Sequence, residues 1–186
     1  VYHCQMAVDE ALTNIIEHVL ANGLDLGRLE SVVTSGAGAA PKLIAWLHDH
    51  GIATTHSWGM TECMFGTSGA LLSLHADLPL DERMPYLLKD GRQTALTRIR
   101  IVDDEGNVLP RDGTTRGHLR VRGLWAARGY LNHPEDCALD SDGWLVTGDI
   151  ATIDPDGYLK IVDRDKDLIK SGGEWISSSD LEKIAA

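Results

Sequence analysis

The chain has 186 residues, enough to bury a sizeable core, with 43% hydrophobic and 24% charged residues, the composition of an ordinary globular protein and not of a disordered one. Its formal net charge is −11, with no basic tail or face, which excludes a duplex-DNA binder running on phosphate neutralisation. No apolar run approaches the roughly 18–20 residues of a membrane helix, and the three cysteines, Cys4, Cys63 and Cys137, lack the paired spacing of a disulfide framework or a structural zinc site.

In chain order, residues 5–22 predict an amphipathic helix. Val8, Ala11, Leu12, Ile15, Ile16, Val19 and Leu20 repeat at helical spacing, and Gly23 stands at the cap position. Residues 29–34 predict a short strand, followed by a loop of small residues over 35–40. Pro41 opens a second helix to about His50, with Gly51 closing it. Residues 52–57 predict another strand, so the order is strand–helix–strand, the signature of a parallel βαβ unit. Residues 75–95 read as an irregular loop carrying Pro79 and Pro85.

Near residue 98 the character changes. Residues 98–102 and 118–122 alternate like half-buried strands, and 150–153 and 158–162 flank the turn Asp154-Pro155-Asp156-Gly157. After Arg164 the chain turns polar and passes through Gly172 and Gly173, and a further helix is expected to begin near Ser179 or Asp180. The fold class is therefore α/β, with an α/β part over 1–97, a β-rich part over 98–163 and a distinct tail over 164–186.

Three stretches carry chemistry. The first is Trp58-Gly59-Met60-Thr61-Glu62, just past the second strand of the βαβ unit. Ligands of open α/β sheets gather at the carboxyl ends of strands. A flat aromatic can stack on a base, a glycine lets backbone approach, a hydroxyl can bond a phosphate oxygen, and a carboxylate can hold Mg2+ together with phosphate oxygens. The plainer reading is a helix N-terminus, with Thr61 and Glu62 starting a turn. The second stretch is Gly143-Trp144-Leu145-Val146-Thr147-Gly148-Asp149. Asp149 reads either as a turn residue at a strand start or as a carboxylate accepting two ribose hydroxyls. The third runs from Asp163 through Arg164, Lys166, Lys170, Ser171, Gly172, Gly173 and Glu174 to Ser177. It is either a solvated turn or a cationic cluster for an anionic ligand.

In this order the three stretches closely resemble the adenylate-forming superfamily of acyl-CoA synthetases, luciferases and peptide-synthetase adenylation domains. The tail from Lys170 to Ser177 resembles medium- and long-chain fatty acid–CoA ligases in particular. The resemblance implies a fold ending a large AMP-binding domain and beginning a small C-terminal one. It also implies a reaction: a carboxylic acid is joined to AMP at the expense of ATP, and the acyl group passes to coenzyme A. Gly36, Ala37 and Gly38 would line the adenine pocket, with Trp58 and Gly59 against the base. Thr61 would bond the α-phosphate, Glu62 would hold Mg2+, and Asp149 and Arg164 would grip the ribose. Lys166 falls at the family's hinge. Lys170, Ser171, Gly172 and Gly173 would approach the site for thioester formation.

Two departures, His118 for the usual Glu and Cys137 for the usual Thr, read as structural. The family's phosphate loop and its C-terminal lysine are not found in the sequence, so an internal piece of a longer enzyme is expected. Such a piece would be inactive alone, in a reducing, cytoplasmic setting, with no nucleic-acid partner. The alternatives are a non-catalytic nucleotide-binding remnant and an adenylating enzyme with another acceptor. His56, next to the first motif, reads as an acyl-pocket or packing residue, and Cys63 as a small core residue.

Overall fold

A computed structural model describes residues 22, 29–36, 40–64, 66–133, 139–167, 169–171 and 174–176, the last two segments as backbone strands. The helix expected over 5–22, Cys4, Ala37, Gly38, Cys137, Gly172, Gly173 and the helix expected after Ser179 lie outside the described residues, Asn22 excepted.

The chain divides into two units. The first comprises residues 1–58 and 68–91, the second residues 59–67 and 92–186. In the first unit, strand β1 (Ser31–Ser35) leads into helix α1 (Pro41–Asp49) and strand β2 (Ala53–Ser57). The strands pair parallel, Ser31 opposite Ala53 through Ser35 opposite Ser57, as the strand–helix–strand order requires. Pro41 sits in the first turn of α1, where its missing N–H costs nothing. The carbonyl of Ala40 takes the N–H groups of Leu43 and Ile44 at 2.9 and 3.1 Å. Ile44, Leu47 and Ile52 are all at most 3% exposed, because positions 44 and 47 share the face of α1 that packs on β2.

The stretch over 75–95 is not the irregular loop its prolines suggest. It includes the end of the short helix α2 (Ser73–Ala76) and the whole of helix α3 (Leu80–Leu87). Pro79 serves as the residue before the helix, Asp81 and Glu82 favour its first turn, and Pro85 removes one donor only. The two-residue strands β3 (Thr67–Ser68) and β4 (Arg92–Gln93) border this region.

The second unit is built on β5 (Thr97–Val102), β6 (Gly117–Gly123), β7 (Leu145–Ile153) and β8 (Leu159–Arg164), one antiparallel sheet in chain order. Alternation sends Ile99, Ile101, Leu119, Val121, Leu145, Ile153 and Leu159 to one core, each at most 2% exposed. Each such burial contributes roughly 1.5–3 kcal/mol. The fourth expected strand, 158–162, is β8. The third, 150–153, proves to be only the end of the nine-residue β7. Asp149 therefore lies inside a strand, not in a turn at its start. Beyond Arg164 two strands not expected from the sequence, β9 (Ile169–Ser171) and β10 (Glu174–Ile176), pair antiparallel, with Ser171 opposite Glu174.

Candidate nucleotide site

The Thr147-Gly148-Asp149 motif is a defect in the sheet. Between the pairs His118–Ile150 and Arg120–Val146, β6 advances two residues while β7 advances four. The two extra residues turn the backbone out of the ladder. Gly148 takes φ +74° there, a left-handed conformation with open space where a Cβ would stand. The ladder bonds lost to the bulge are made by side chains. Thr147 Oγ1 donates to the Leu119 carbonyl at 3.0 Å and accepts from the Asp149 N–H at 3.1 Å. A second irregularity on the β8 side falls between Ile150 and Ala151.

The bulge aims a carboxylate. The Asp149 side chain is 3% exposed, and Arg164 Nε donates to its Oδ1 at 2.9 Å. The two residues face each other across β7 and β8. Arg164 also donates through Nη1 to the Thr147 carbonyl at 3.4 Å, while its own side chain is 46% exposed. Sequence spacing could pair these residues only by resemblance; the register supplies the reason. Just beyond, Lys166 is exposed in a turn closed by Asp167 N–H to the Arg164 carbonyl, 3.0 Å, while Asp165 N–H donates across the sheet to the Gly148 carbonyl at 2.9 Å.

Glu62 lies in the turn Met60–Cys63, closed by Cys63 N–H to the Met60 carbonyl at 3.0 Å. Thr61 is exposed on that turn. The Tyr130 hydroxyl donates to Glu62 Oε1 at 2.6 Å, and the Ala127 N–H to the Glu62 carbonyl at 2.6 Å. Tyr130 lies 68 residues away, and no sequence motif tied it to Glu62. The same turn holds Cys63, 1% exposed. Burial pushes its thiol above the ordinary value of 9.0, and the negative charges of Glu62 and Asp149 push the same way against a hydrogen bond involving Met60 backbone. That shared influence puts Glu62 and Asp149 in one electrostatic neighbourhood within the second unit. Cys63 is the small core residue expected of it.

Glu62 suits a magnesium ion carried by a phosphate ligand. Mg2+ uses one or two carboxylates with substrate oxygens, and the described residues contain no group of three or more His, Cys, Asp or Glu side chains that would form a cage of protein ligands.

In the first unit, β1 ends at Ser35, and Gly36 follows at φ +90°. Trp58 follows β2 and is 8% exposed. The motif from Trp58 to Glu62 thus straddles the division between the units, with Gly59 onward in the second. Lys170 and Ser171 belong to β9. His118, the departure from the family pattern, has its Nε2 2.8 Å from Asp104 Oδ1.

A parallel strand–helix–strand unit followed by Trp58-Gly59-Met60-Thr61-Glu62, and an antiparallel sheet bulged at Thr147-Gly148-Asp149, have the architecture of the adenylate-forming superfamily. The chain belongs to the AMP-binding enzyme family, whose model matches residues 3–131. It is 44% identical over 97% of its length to a 3-methylmercaptopropionyl-CoA ligase of Ruegeria lacuscaerulensis, of which it covers 34%. Identity is also 44% to a medium-chain-fatty-acid–CoA ligase of Ectopseudomonas oleovorans, over 88% of this chain and 30% of that protein. Among solved structures it resembles O-succinylbenzoate coenzyme A synthetase from Bacillus subtilis in complex with ATP and magnesium ion, at TM-score 0.70 and 28% identity. That likeness covers 84% of this chain and 31% of the other. The chain thus spans about a third of the length of the relatives it matches.

Proposed function

We propose that the protein carrying this chain is an ATP-dependent fatty acid–CoA ligase of the cytoplasm, and that residues 164–186 are its hinge and the start of a small C-terminal domain. The carrying observation is the ordered set of three motifs, read with 44% identity to a relative named for medium-chain fatty acids. In the first half-reaction a carboxylate oxygen of the acid bonds to the α-phosphorus of ATP and pyrophosphate leaves. In the second, the CoA sulfur bonds to the acyl carbon, AMP leaves with the bonding pair, and the thiol proton goes to solvent.

Gly36, Ala37 and Gly38 line the base in this reading, and Trp58 and Gly59 lie against it. Asp149, buried and oriented by Arg164, accepts the ribose hydroxyls. Thr61 donates to an α-phosphate oxygen, stabilising charge where it develops. Glu62, steadied by Tyr130, holds the magnesium ion, which neutralises phosphate charge when bound. Lys166 is the pivot of the domain rotation, and Lys170 with Ser171, Gly172 and Gly173 serves the thioester step.

A second reading of the acid is favoured by the Ruegeria relative: a short thioether acid, 3-methylmercaptopropionate. Pyrophosphate exchange in the full-length protein, run with medium-chain fatty acids and with 3-methylmercaptopropionate, separates the two readings. Glu62→Gln is expected to lower exchange by about 10²–10³, the order of one lost transition-state contact. Asp149→Ala should lower it at least about tenfold, the size of a lost charge-assisted hydrogen bond. Unchanged exchange in both variants would overturn these roles.

A further inference from the structure

One buried histidine stands beside the first motif and has no part in the roles above. His56, 4% exposed, lies on β2 directly opposite Thr34 of β1. Its Nδ1 is 2.9 Å from Thr34 Oγ1, and its Nε2 is 3.1 Å from Asp90 Oδ1 in the segment after α3. Thr34 Oγ1 is also placed to donate to the Thr55 carbonyl, at 3.3 Å.

The hydroxyl has one proton, so two arrangements exist. If Thr34 donates to Thr55, it accepts from Nδ1–H, and the ring, donating also to Asp90, is an imidazolium. If Thr34 donates to Nδ1, the ring is neutral and donates through Nε2 alone. Both arrangements engage both nitrogens. One ring therefore ties β1, β2 and the Asp90 segment together.

The backbone around His56 is equally confined. The Gly69 N–H donates to Ser57 Oγ at 3.2 Å. A Cβ on Gly69 would stand 2.3 Å from the His56 carbonyl oxygen and 2.6 Å from the His56 nitrogen. Gly91, next to Asp90, is as tightly placed, 2.3 Å from the Ser68 carbonyl oxygen by the same measure. Two residues beyond His56 comes Trp58, itself 8% exposed. A buried polar pair is a weak source of stability compared with an apolar side chain of the same size, but its directional bonds select one arrangement.

We propose that His56 is a positioning residue for adenine recognition: the Thr34–His56–Asp90 link holds the end of β2 in the backbone path that presents Trp58 to the base. This rests on the reading of Trp58 given under Proposed function. Thr34 and Asp90 contribute through His56 and touch no substrate.

The test uses the full-length protein with His56→Leu, which keeps volume without polarity, His56→Gln, which restores one directional bond, and Asp90→Asn. Three quantities are read: the Kd for ATP by titration calorimetry, the KM values for ATP and acid, and kcat in pyrophosphate exchange. His56→Leu is expected to raise the Kd and KM for ATP about tenfold, the size of one lost hydrogen bond to a charged group. The KM for the acid should stay put and kcat should remain within about twofold. Asp90→Asn should move the same constants less, and His56→Gln should recover part of the loss. An unchanged Kd for ATP in His56→Leu or, should that variant not fold, in Asp90→Asn overturns the proposal. So does a fall in kcat with both KM values unmoved, the mark of fewer folded molecules. A wild-type protein that binds no adenine nucleotide defeats the reading of the site itself, and it is recognised before any substitution is made.

Discussion

The two units reach a placed functional group by opposite means. In the antiparallel sheet of the second unit, the inward residues are aliphatic: Ile99, Ile101, Leu119, Val121 and Leu145. The proposed ribose contact enters where the ladder is broken, at Thr147, Gly148 and Asp149. In the parallel pair of the first unit, the inward residues of β2 are Thr54 and His56, and the motif follows the strand's end. Regular pairing runs to the last residue, and polar side chains fix what comes next. A bulge re-aims side chains within a rigid apolar frame, whereas a strand end must be held by specific bonds.

Two glycines sharpen this contrast from each side. Gly69→Ala attacks the confined strand end, because its Cβ would meet backbone atoms of His56 at 2.3 and 2.6 Å and Thr55 Cβ at 2.8 Å. Backbone cannot rotate aside as a side chain can, so a loss of about 3 kcal/mol in denaturant unfolding is expected, the upper part of the overpacking range. Gly148→Ala meets nothing within 4 Å and carries only the cost of φ +74°, about 1 kcal/mol. Equal losses for the two would remove the distinction between a crowded strand end and an open bulge.

The smallest effect concerns acid. Asp112 accepts from the Thr115 hydroxyl at 2.6 Å and from the Thr115 and Thr114 N–H groups at 2.7 and 2.8 Å. These bonds, the Thr115 hydroxyl first, hold its carboxyl far below its ordinary value of 3.8. A depressed value stabilises the fold above the unfolded value and loses that contribution as pH falls through the acid range. Asp112→Asn is therefore expected to flatten the acid limb of stability below about pH 4 while leaving its neutral slope alone, as followed by circular dichroism. An unchanged acid limb would remove Asp112 from the account.

Much of the scaffold was legible from residue pattern. Pro41 and Gly51 bracket α1, and alternation at 98–102 and 118–122 marks strands because one face of that sheet is buried. Pro85 misled, since a helix as short as α3 can lose one donor and persist. The start of β7 was hidden because Val146, Thr147 and Gly148 break the alternation, which is what a bulge does to a pattern of period two. The motif residues themselves were visible, but their supports were not. Tyr130 reaches Glu62 across 68 positions, and Asp90 reaches His56 across 34. Nothing local in the sequence encodes such distances.

The bulge in β7 also governs which changes of length the sheet can absorb. Its partners on either side, Val146 and Ile150, are an even number of residues apart, as are Arg120 and His118 opposite them. Excising a pair of residues from the motif would erase the aspartate's perch yet leave every downstream side chain on its present face. Excising one would move Ile153 and its neighbours, buried on both faces of the strand, to the opposite faces of the sheet. Any natural shortening of this strand that leaves the remaining protein folded should therefore come in twos.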